Sequence, residues 1–222
     1  MIICNIDQHS ESWHSIRCGR VTGTKFASLM MGESTKGYKD LIMNLACEII
    51  TNRAEETYSN ANMEKGLEIE PTARKEYEAL FDTEVKTVGF ITPEEDHKYY
   101  DWIGISPDGL LLQNDLIPIK ENEFEGLLEI KCPLMRTHLE YIEADKLPSE
   151  YRYQVQGQLF VSGLAYCDFM SFVEGMKPFI IRVYPDPELF TEFERRLDIL
   201  IQQVAQKLLI YQKYDYEQIT EM

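Results

Sequence analysis

The sequence is poor in the residues that hold disulfides and structural metals. It contains five cysteines and four histidines among 222 residues. The cysteines form no Cys-x-x-Cys pair and the histidines show no metal-ligand spacing, which argues against a disulfide framework and against a zinc site. We expect the thiols to be reduced, as in a protein of the cytoplasm. They are Cys4, Cys18, Cys47, Cys132 and Cys167.

Long apolar runs are also missing. No stretch approaches the roughly 20 apolar residues of a membrane span. The opening MIICNIDQHSE lacks the basic start and small-residue cleavage site of a secretory leader. We therefore expect a cytoplasmic protein without membrane association. A hydrophobic content of 44% is enough for a sizeable core, and the length favours one large domain.

Positive charge is in short supply. The chain has 38 acidic and 22 basic residues, for a net charge of −16. This balance argues against a protein that simply coats nucleic acid. A protein that acts on DNA would need local basic contacts, with its acidic excess elsewhere or offset by bound cations. An acidic DNA mimic, which binds a DNA-handling protein without catalysis, is an alternative from a different class.

Hydrophobic periodicity predicts helices and strands in an order typical of an α/β domain with a mixed central sheet flanked by helices. The predicted helices are a short one capped by Ser10, one from Thr22, those at about 38–54, 62–82, 135–145 and 149–163, and one from Pro187 onward. The predicted strands lie at 84–92, 100–106, 110–113, 126–132, 166–174 and 179–185. We expect one domain over 1–222, with a helical part to about 82, a sheet core to about 185 and a C-terminal helix to about 214.

The apolar run GLLEIKCP carries two charges on one face. In a strand, Leu128 and Ile130 point one way, while Glu129 and Lys131 point the other. The run is too apolar for an edge strand, and buried charges are costly unless something satisfies them. An ion pair or a metal site would do so.

A Pro-Asp-Gly turn ending at Gly109 precedes this run by about one hairpin. It places the carboxylate of Asp108 on a strand next to that of Glu129. Two such carboxylates, with the Ile130 carbonyl as an additional ligand, suit Mg²⁺ or Mn²⁺. Lys131 would position a water molecule or neutralise charge on a phosphate, so the pattern predicts metal-assisted hydrolysis of a phosphodiester bond.

A second Glu-x-Lys triplet, at 84–86, lacks an upstream Asp-Gly turn. We interpret it as the exposed face of a strand rather than as a catalytic motif.

Four ordered segments resemble the phage lambda exonuclease family, the YqaJ-type viral recombinases or alkaline exonucleases of the PD-(D/E)xK nuclease superfamily. They are WHSIRCGRVTGTKFASLM, KGLEIEPTARKEYEA, SPDGLL followed by LLEIKCP, and YRYQVQGQLFVSG, and they run from about residue 13 to 163. The C-terminal helix is similar in type only. The resemblance implies a restriction-endonuclease-like core and makes the whole chain a nuclease domain.

The same resemblance implies the site residues. Asp108, Glu129 and Lys131 match the family's catalytic triad. Glu70 matches an acidic residue that reaches the metal from a helix, and Gln154 matches a glutamine beside the site. If residues 149–163 are helical, Gln154 and Gln158 share one face of the helix. Without the resemblance, Glu70 would be interpreted as a solvated carboxylate and Gln154 as a surface residue.

A pocket for the 5′-phosphate of DNA is likewise implied. Arg17 matches the family's phosphate-binding arginine, with Thr24 and Ser106 as hydroxyl partners; a guanidinium holds phosphate through two donors. A surface ion pair is the alternative for Arg17. Arg136 corresponds to a second phosphate-binding arginine, but it stands one residue earlier than in the family pattern.

The resemblance implies a Mg²⁺-dependent exonuclease, with Mn²⁺ as a substitute. It would digest the 5′-ended strand of double-stranded DNA from its ends and leave 3′ single-stranded tails for recombination. It also implies a ring-shaped homotrimer, a phage single-strand annealing protein as partner, and a phage or prophage gene expressed in bacterial cytoplasm. A structure-specific endonuclease of the same superfamily is the nearest alternative. Relatives with an iron–sulfur cluster are disfavoured, because no cysteine follows Cys167.

Overall fold

The computed structural model describes residues 1–54, 61–112 and 124–214, and only the helical backbone of 61–65. Its helices are α1 (Glu11–Arg17), α2 (Lys25–Leu29), α3 (Lys36–Thr51), α4 (Ala61–Phe81), α5 (Met135–Ala144), α6 (Arg152–Ser162) and α7 (Pro187–Gln212). Its strands are β1 (Ile2–Cys4), β2 (Val85–Lys86), β3 (Phe90–Thr92), β4 (Gly109–Leu112), β5 (Phe124–Lys131), β6 (Tyr166–Ser171) and β7 (Phe179–Val183). Within the described ranges, no helix is both long and apolar enough to cross a membrane.

The main sheet has five strands in the order β2-β4-β5-β6-β7. β5 and β6 are parallel, and the other neighbours are antiparallel. The mixed sheet confirms the predicted fold class. β5 is the central strand, which confirms that the GLLEIKCP run does not lie at an edge.

Helices cover both faces of this sheet. Leu127 of β5 belongs to a large core that α2, α3, α6 and α7 complete. Leu128 and Ile130 point to the other face, where they pack with Ala73 and Tyr77 of α4. The alternation along β5 therefore turns Glu129 and Lys131 toward the face that carries α6.

Local capping fixes where several helices begin. The Ser10 side chain accepts a hydrogen bond from the Trp13 backbone N–H at the start of α1. At the start of α7, Asp186 accepts from the Leu189 N–H, and Pro187 occupies the first turn. Both starts agree with the sequence prediction, because capping depends on residues within one turn.

Three features of the sheet region differ from the prediction. Residues 84–92 form two separate strands, because β2 joins the main sheet while β3 pairs with β1, a strand that was not predicted. Residues 100–106 are not a strand; Ile103 and Ile105 make only isolated bridges, to Val21 and Ile91. Their alternation instead reflects two isoleucines that are fully buried in the core.

The split of 84–92 has a steric cause at Gly89. A Cβ atom there would lie 1.9 Å from the carbonyl oxygen of Ile6, so the chain crosses the segment after β1 too closely for any side chain. Glu84 and Lys86 are exposed, and Val85 between them is buried. This edge-strand arrangement agrees with the interpretation of the second Glu-x-Lys triplet as an exposed face. Gln113, the last residue of the predicted strand 110–113, lies outside the described residues.

Candidate active site

Asp108 stands immediately before β4, beside the end of β5. β4 begins at Gly109, which pairs with Leu128, so β5 continues past the start of its neighbour. The Ile130 backbone N–H donates to Asp108 Oδ2 at 2.6 Å. The Asp108 side chain thus caps the backbone that the shorter strand leaves uncovered, and it lies next to Glu129 and Lys131.

Glu129 is a buried carboxylate, with 1% of its surface exposed. Lys131 Nζ and Gln154 Nε2 both donate to its Oε1 atom. Gln158 Nε2 donates to Oε2 at 2.6 Å. These donors offset the cost of burying the charge, and they fix the orientation of the carboxylate.

The two glutamines reach Glu129 from one face of α6. Gln156, on another face, donates to the Tyr184 carbonyl at 2.8 Å instead. The sequence analysis assigned Gln154 and Gln158 to one helix face but selected only Gln154 as a site residue. The signal for Gln158 was the four-residue spacing, which places both side chains on the same side of a helix.

Glu70 comes from α4 and is held by Arg74 one turn later. Arg74 Nη2 donates to Glu70 Oε1 at 2.5 Å, and Arg74 Nε donates to the Asp108 carbonyl at 3.0 Å. Glu70, Arg74 and Asp108 also line a cleft of about 570 Å³. The sequence analysis did not single out Arg74, because its partner at Asp108 lies 34 residues away.

The shifts in pKa at this site result from burial and from the crowding of acidic side chains. Burial raises the pKa of Asp108 well above its usual range, and the nearby Glu129 and Glu70 carboxylates add to the rise. Burial also raises the pKa of Glu70, against the lowering effect of Arg74. For Lys131, burial lowers the pKa, but Glu129 and Asp108 outweigh it and the net shift is upward. The site contains three acidic side chains, Asp108, Glu129 and Glu70, and two basic ones, Lys131 and Arg74. A bound cation would therefore relieve the repulsion among the acids.

The atoms of this site that could bind a metal ion are carboxylate and carbonyl oxygens. Mg²⁺ is commonly bound by one or two carboxylates and completes its shell with water and substrate phosphate. Within the part of the chain that the structure describes, no three His, Cys, Asp or Glu side chains are gathered into a ready metal cage. The carboxylates of Asp108 and Glu129 fit a divalent cation that water and substrate would complete, and ligation by Ile130 and Glu70 stays a prediction.

Arg17 and Ser106 meet next to Trp13. Arg17 Nη1 donates to Ser106 Oγ at 3.0 Å, and its guanidinium lies 3.9 Å from the centre of the Trp13 ring. The Trp13 indole N–H donates to Ser106 Oγ at 2.9 Å. Burial lowers the pKa of Arg17 to about 10, although Glu48 opposes the shift. Trp13 thus holds both groups in place, a role that the sequence analysis did not assign.

The other two predicted phosphate residues lie apart from this contact. Thr24 is exposed and directly precedes α2. It follows Gly23, where a Cβ atom would lie 3.6 Å from Gln154 Cγ, so this turn borders the carboxylate site. Arg136 has 90% of its side chain exposed and pairs with Glu140 on α5 at 3.0 Å. Among the described residues, no hydrogen bond or ion pair joins Arg136 to Arg17 or Ser106.

Comparisons with known proteins place the chain in a family. The YqaJ-like viral recombinase domain matches residues 12–165. The crystal structure of LHK-Exo, an alkaline exonuclease from Laribacter hongkongensis, is 30% identical with a TM-score of 0.77, covering 92% of this chain and 97% of that chain. Its complex with dAMP is 29% identical, with the same TM-score of 0.77 and the same coverage of 92% and 97%.

A phage-related exonuclease from Haemophilus somnus 129PT is more distant. It is 15% identical, with a TM-score of 0.60 over 88% of this chain and 96% of that chain, and it shares the fold. No curated protein matches the chain. The family model covers more than half of the sequence, and the LHK-Exo match spans nearly all of both chains. The protein therefore belongs to the YqaJ-like viral recombinase family, which includes alkaline exonucleases.

Proposed function

We propose that the protein is a metal-dependent exonuclease that digests the 5′-ended strand of double-stranded DNA from its ends. It would leave 3′ single-stranded tails for recombination. The observation that carries the proposal is the buried Glu129, which Lys131 holds beside Asp108 where β4 begins and β5 ends. In a chain of this family, that arrangement supports hydrolysis of phosphodiester bonds.

Mg²⁺ is the cation that the donor set suits best, and Mn²⁺ would substitute for it. Asp108 and Glu129 would hold the ion, together with the Ile130 carbonyl and Glu70. When bound, it would orient the scissile phosphodiester, assist formation of hydroxide and stabilise the leaving oxygen.

Lys131 would position the attacking water molecule or neutralise charge that develops on the phosphate. Its raised pKa supports this role, because the ammonium form persists beside Glu129 and Asp108. Gln154 and Gln158 would keep Glu129 in one orientation, so that little reorganisation is needed during the reaction.

Specificity for 5′ ends would come from Arg17, with Ser106 and Thr24 as hydroxyl partners. Arg17 is already fixed against Trp13 and Ser106, which lowers the entropy cost of binding a terminal phosphate. Ser106 and Asp108 are two residues apart in the chain, so a terminal phosphate and the next phosphate along the strand would lie at adjacent sites. Arg136 would need to release Glu140 before it could contribute.

The family resemblance supports the assembly and the setting. We infer a homotrimeric ring that encircles DNA, with its basic groups toward the channel and the excess of acidic groups outward. The partner would be a phage single-strand annealing protein that coats the new 3′ tail, in the cytoplasm of a bacterial host.

The test is digestion of a linear duplex labelled at either 5′ or 3′ termini, with Mg²⁺ or with a chelator. We expect early release of the 5′ label as mononucleotide, retention of the 3′ label in long products, and no digestion with chelator. A closed circular duplex is the control and should stay intact. Equal early loss of both labels, or cutting of the circle, would contradict the proposal and favour an endonuclease.

A further inference from the structure

Arg74 is the one described cation that contacts both the α4 carboxylate and the turn before β4. Its Nη2 donates to Glu70 Oε1 at 2.5 Å and its Nε to the Asp108 carbonyl at 3.0 Å. Only 16% of the Arg74 side chain and 22% of the Glu70 side chain are exposed. The pair therefore differs from a surface ion pair, which is largely screened by water.

The contacts tie α4 to the end of the sheet. α4 packs through Ala73 and Tyr77 against the face of β5 that carries Leu128 and Ile130. The Glu70 carboxylate lies close enough to Asp108 and Glu129 for their charges to interact. Arg74 stabilises that position, because Glu129 repels the Glu70 carboxylate and burial disfavours its charge.

The hydrogen bonds also leave part of Glu70 available. Arg74 occupies Oε1, and the adjoining cleft of about 570 Å³ gives ions and water access to the pair. A guanidinium that binds one oxygen of a carboxylate orients the other oxygen, as hydrogen-bonding partners of metal ligands commonly do.

We propose that Arg74, anchored at the Asp108 carbonyl, is a positioning residue that presents Glu70 to the divalent cation and thereby sets the affinity for it. This inference rests on the proposed function, since it assumes that Asp108, Glu129 and Glu70 form a cation site. Arg74 contacts neither DNA nor the cation in this proposal. It acts through Glu70.

The direction of the change in cation affinity after loss of Arg74 distinguishes a positioning role from a purely electrostatic one. Removal of a nearby positive charge would by itself make a divalent cation bind more tightly. Loss of an orienting partner has the opposite result and typically weakens metal affinity by about 10- to 100-fold. Weaker binding after loss of Arg74 can therefore be attributed to lost positioning.

The experiment is calorimetric titration of Mn²⁺ into the DNA-free protein, for wild type, Arg74→Ala, Arg74→Lys, Glu70→Ala and the double variant Glu70→Ala with Arg74→Ala. We expect Arg74→Ala to raise the dissociation constant about tenfold and Arg74→Lys to raise it less. In the Glu70→Ala background, loss of Arg74 should not raise the dissociation constant further. Arg195→Ala is the matched control, since Arg195 forms an exposed pair with Glu192 on α7 at 2.6 Å.

A second readout is the Mg²⁺ dependence of duplex digestion. The Mg²⁺ concentration for half-maximal rate should rise in Arg74→Ala, while the rate at saturating Mg²⁺ should fall much less. Unchanged or tighter Mn²⁺ binding in a folded Arg74→Ala protein would overturn the inference, as would additive losses in the double variant. If Arg74→Ala does not fold, Arg74→Lys decides, and affinity equal to wild type would count against positioning. Wild-type protein that binds Mn²⁺ but digests no DNA would instead refute the proposed function.

Discussion

Two buried carboxylates lie on neighbouring central strands, and their surroundings differ. Asp168 of β6 accepts two hydrogen bonds from Arg182, both at 2.8 Å, and one from the Tyr77 hydroxyl at 2.6 Å. Glu129 of β5 is held by Lys131 and by two neutral amides. Each carboxylate is satisfied, and Glu129 also interacts with the nearby carboxylates of Asp108 and Glu70.

The difference distinguishes a structural ion pair from the proposed active site. A guanidinium fork matches a carboxylate in charge and geometry, and Arg182 also stacks on Tyr166 at 3.6 Å, so the Asp168 cluster is closed. At the other site, the three acids Glu129, Asp108 and Glu70 outnumber the two bases, Lys131 and Arg74, which leaves an excess of negative charge. Local excess charge, rather than burial alone, identifies the site.

Loss of Asp108 should have the largest effect on activity. Asp108→Ala should slow digestion by on the order of 10³-fold or more, because it removes a cation ligand and thus stabilisation of the transition state. The fold should survive, and the melting temperature at neutral pH should not fall. The raised pKa of Asp108 means that its ionised form destabilises the folded protein as the pH rises above the unfolded-state pKa. Single-turnover digestion and thermal melting measure the two effects, and near-normal rates would refute the site.

Loss of Lys131 should come next. Lys131→Ala should reduce the rate by about 10²- to 10³-fold, because a preorganised charge near the phosphate is removed. Duplex affinity, measured by fluorescence anisotropy in Ca²⁺, should change little. If binding disappears while single-turnover cleavage of bound DNA stays normal, Lys131 is a DNA contact instead.

Loss of Arg17 should affect one kind of DNA end. A charge-assisted contact contributes about 1.5–3 kcal/mol, so wild type should prefer 5′-phosphorylated over 5′-hydroxyl ends by about 10- to 100-fold. Arg17→Ala should erase most of this preference without changing the metal requirement. Arg17→Lys should restore it only in part, since an ammonium lacks the planar fork. Equal slowing on both kinds of end would indicate a general DNA contact.

Loss of Arg182 should affect stability more than chemistry. Arg182→Ala leaves Asp168 buried without its counter-charge, a change that costs 3–5 kcal/mol for fully buried pairs. Because 42% of the Arg182 side chain is exposed, solvent would screen part of the loss, and we expect about 2 kcal/mol. Urea unfolding would measure it, with the rate per folded molecule near wild type. A large loss of rate without loss of stability would remove the distinction between the two carboxylates.

The sequence by itself determined the local geometry that depends on residues close together in the chain. Strand alternation put Glu129 and Lys131 on one face, the Asp-Gly turn placed Asp108 at the start of a strand, and helical spacing put Gln154 and Gln158 together. Ser10 and Pro187 marked helix starts correctly. These features follow from backbone periods and caps that span a few residues, so they can be predicted without the fold.

The tertiary structure decided which distant groups meet. The contact of Arg74 with the Asp108 carbonyl requires α4 to pack on β5. Residues 100–106 form only isolated bridges, in which Ile103 pairs with Val21 and Ile105 with Ile91. Arg17 reaches Ser106 only because the fold brings α1 against the segment that precedes β4. Such contacts depend on strand order and on packing across the sheet. A local pattern cannot encode them, because residues far apart in the chain must satisfy each other's charge and volume at once.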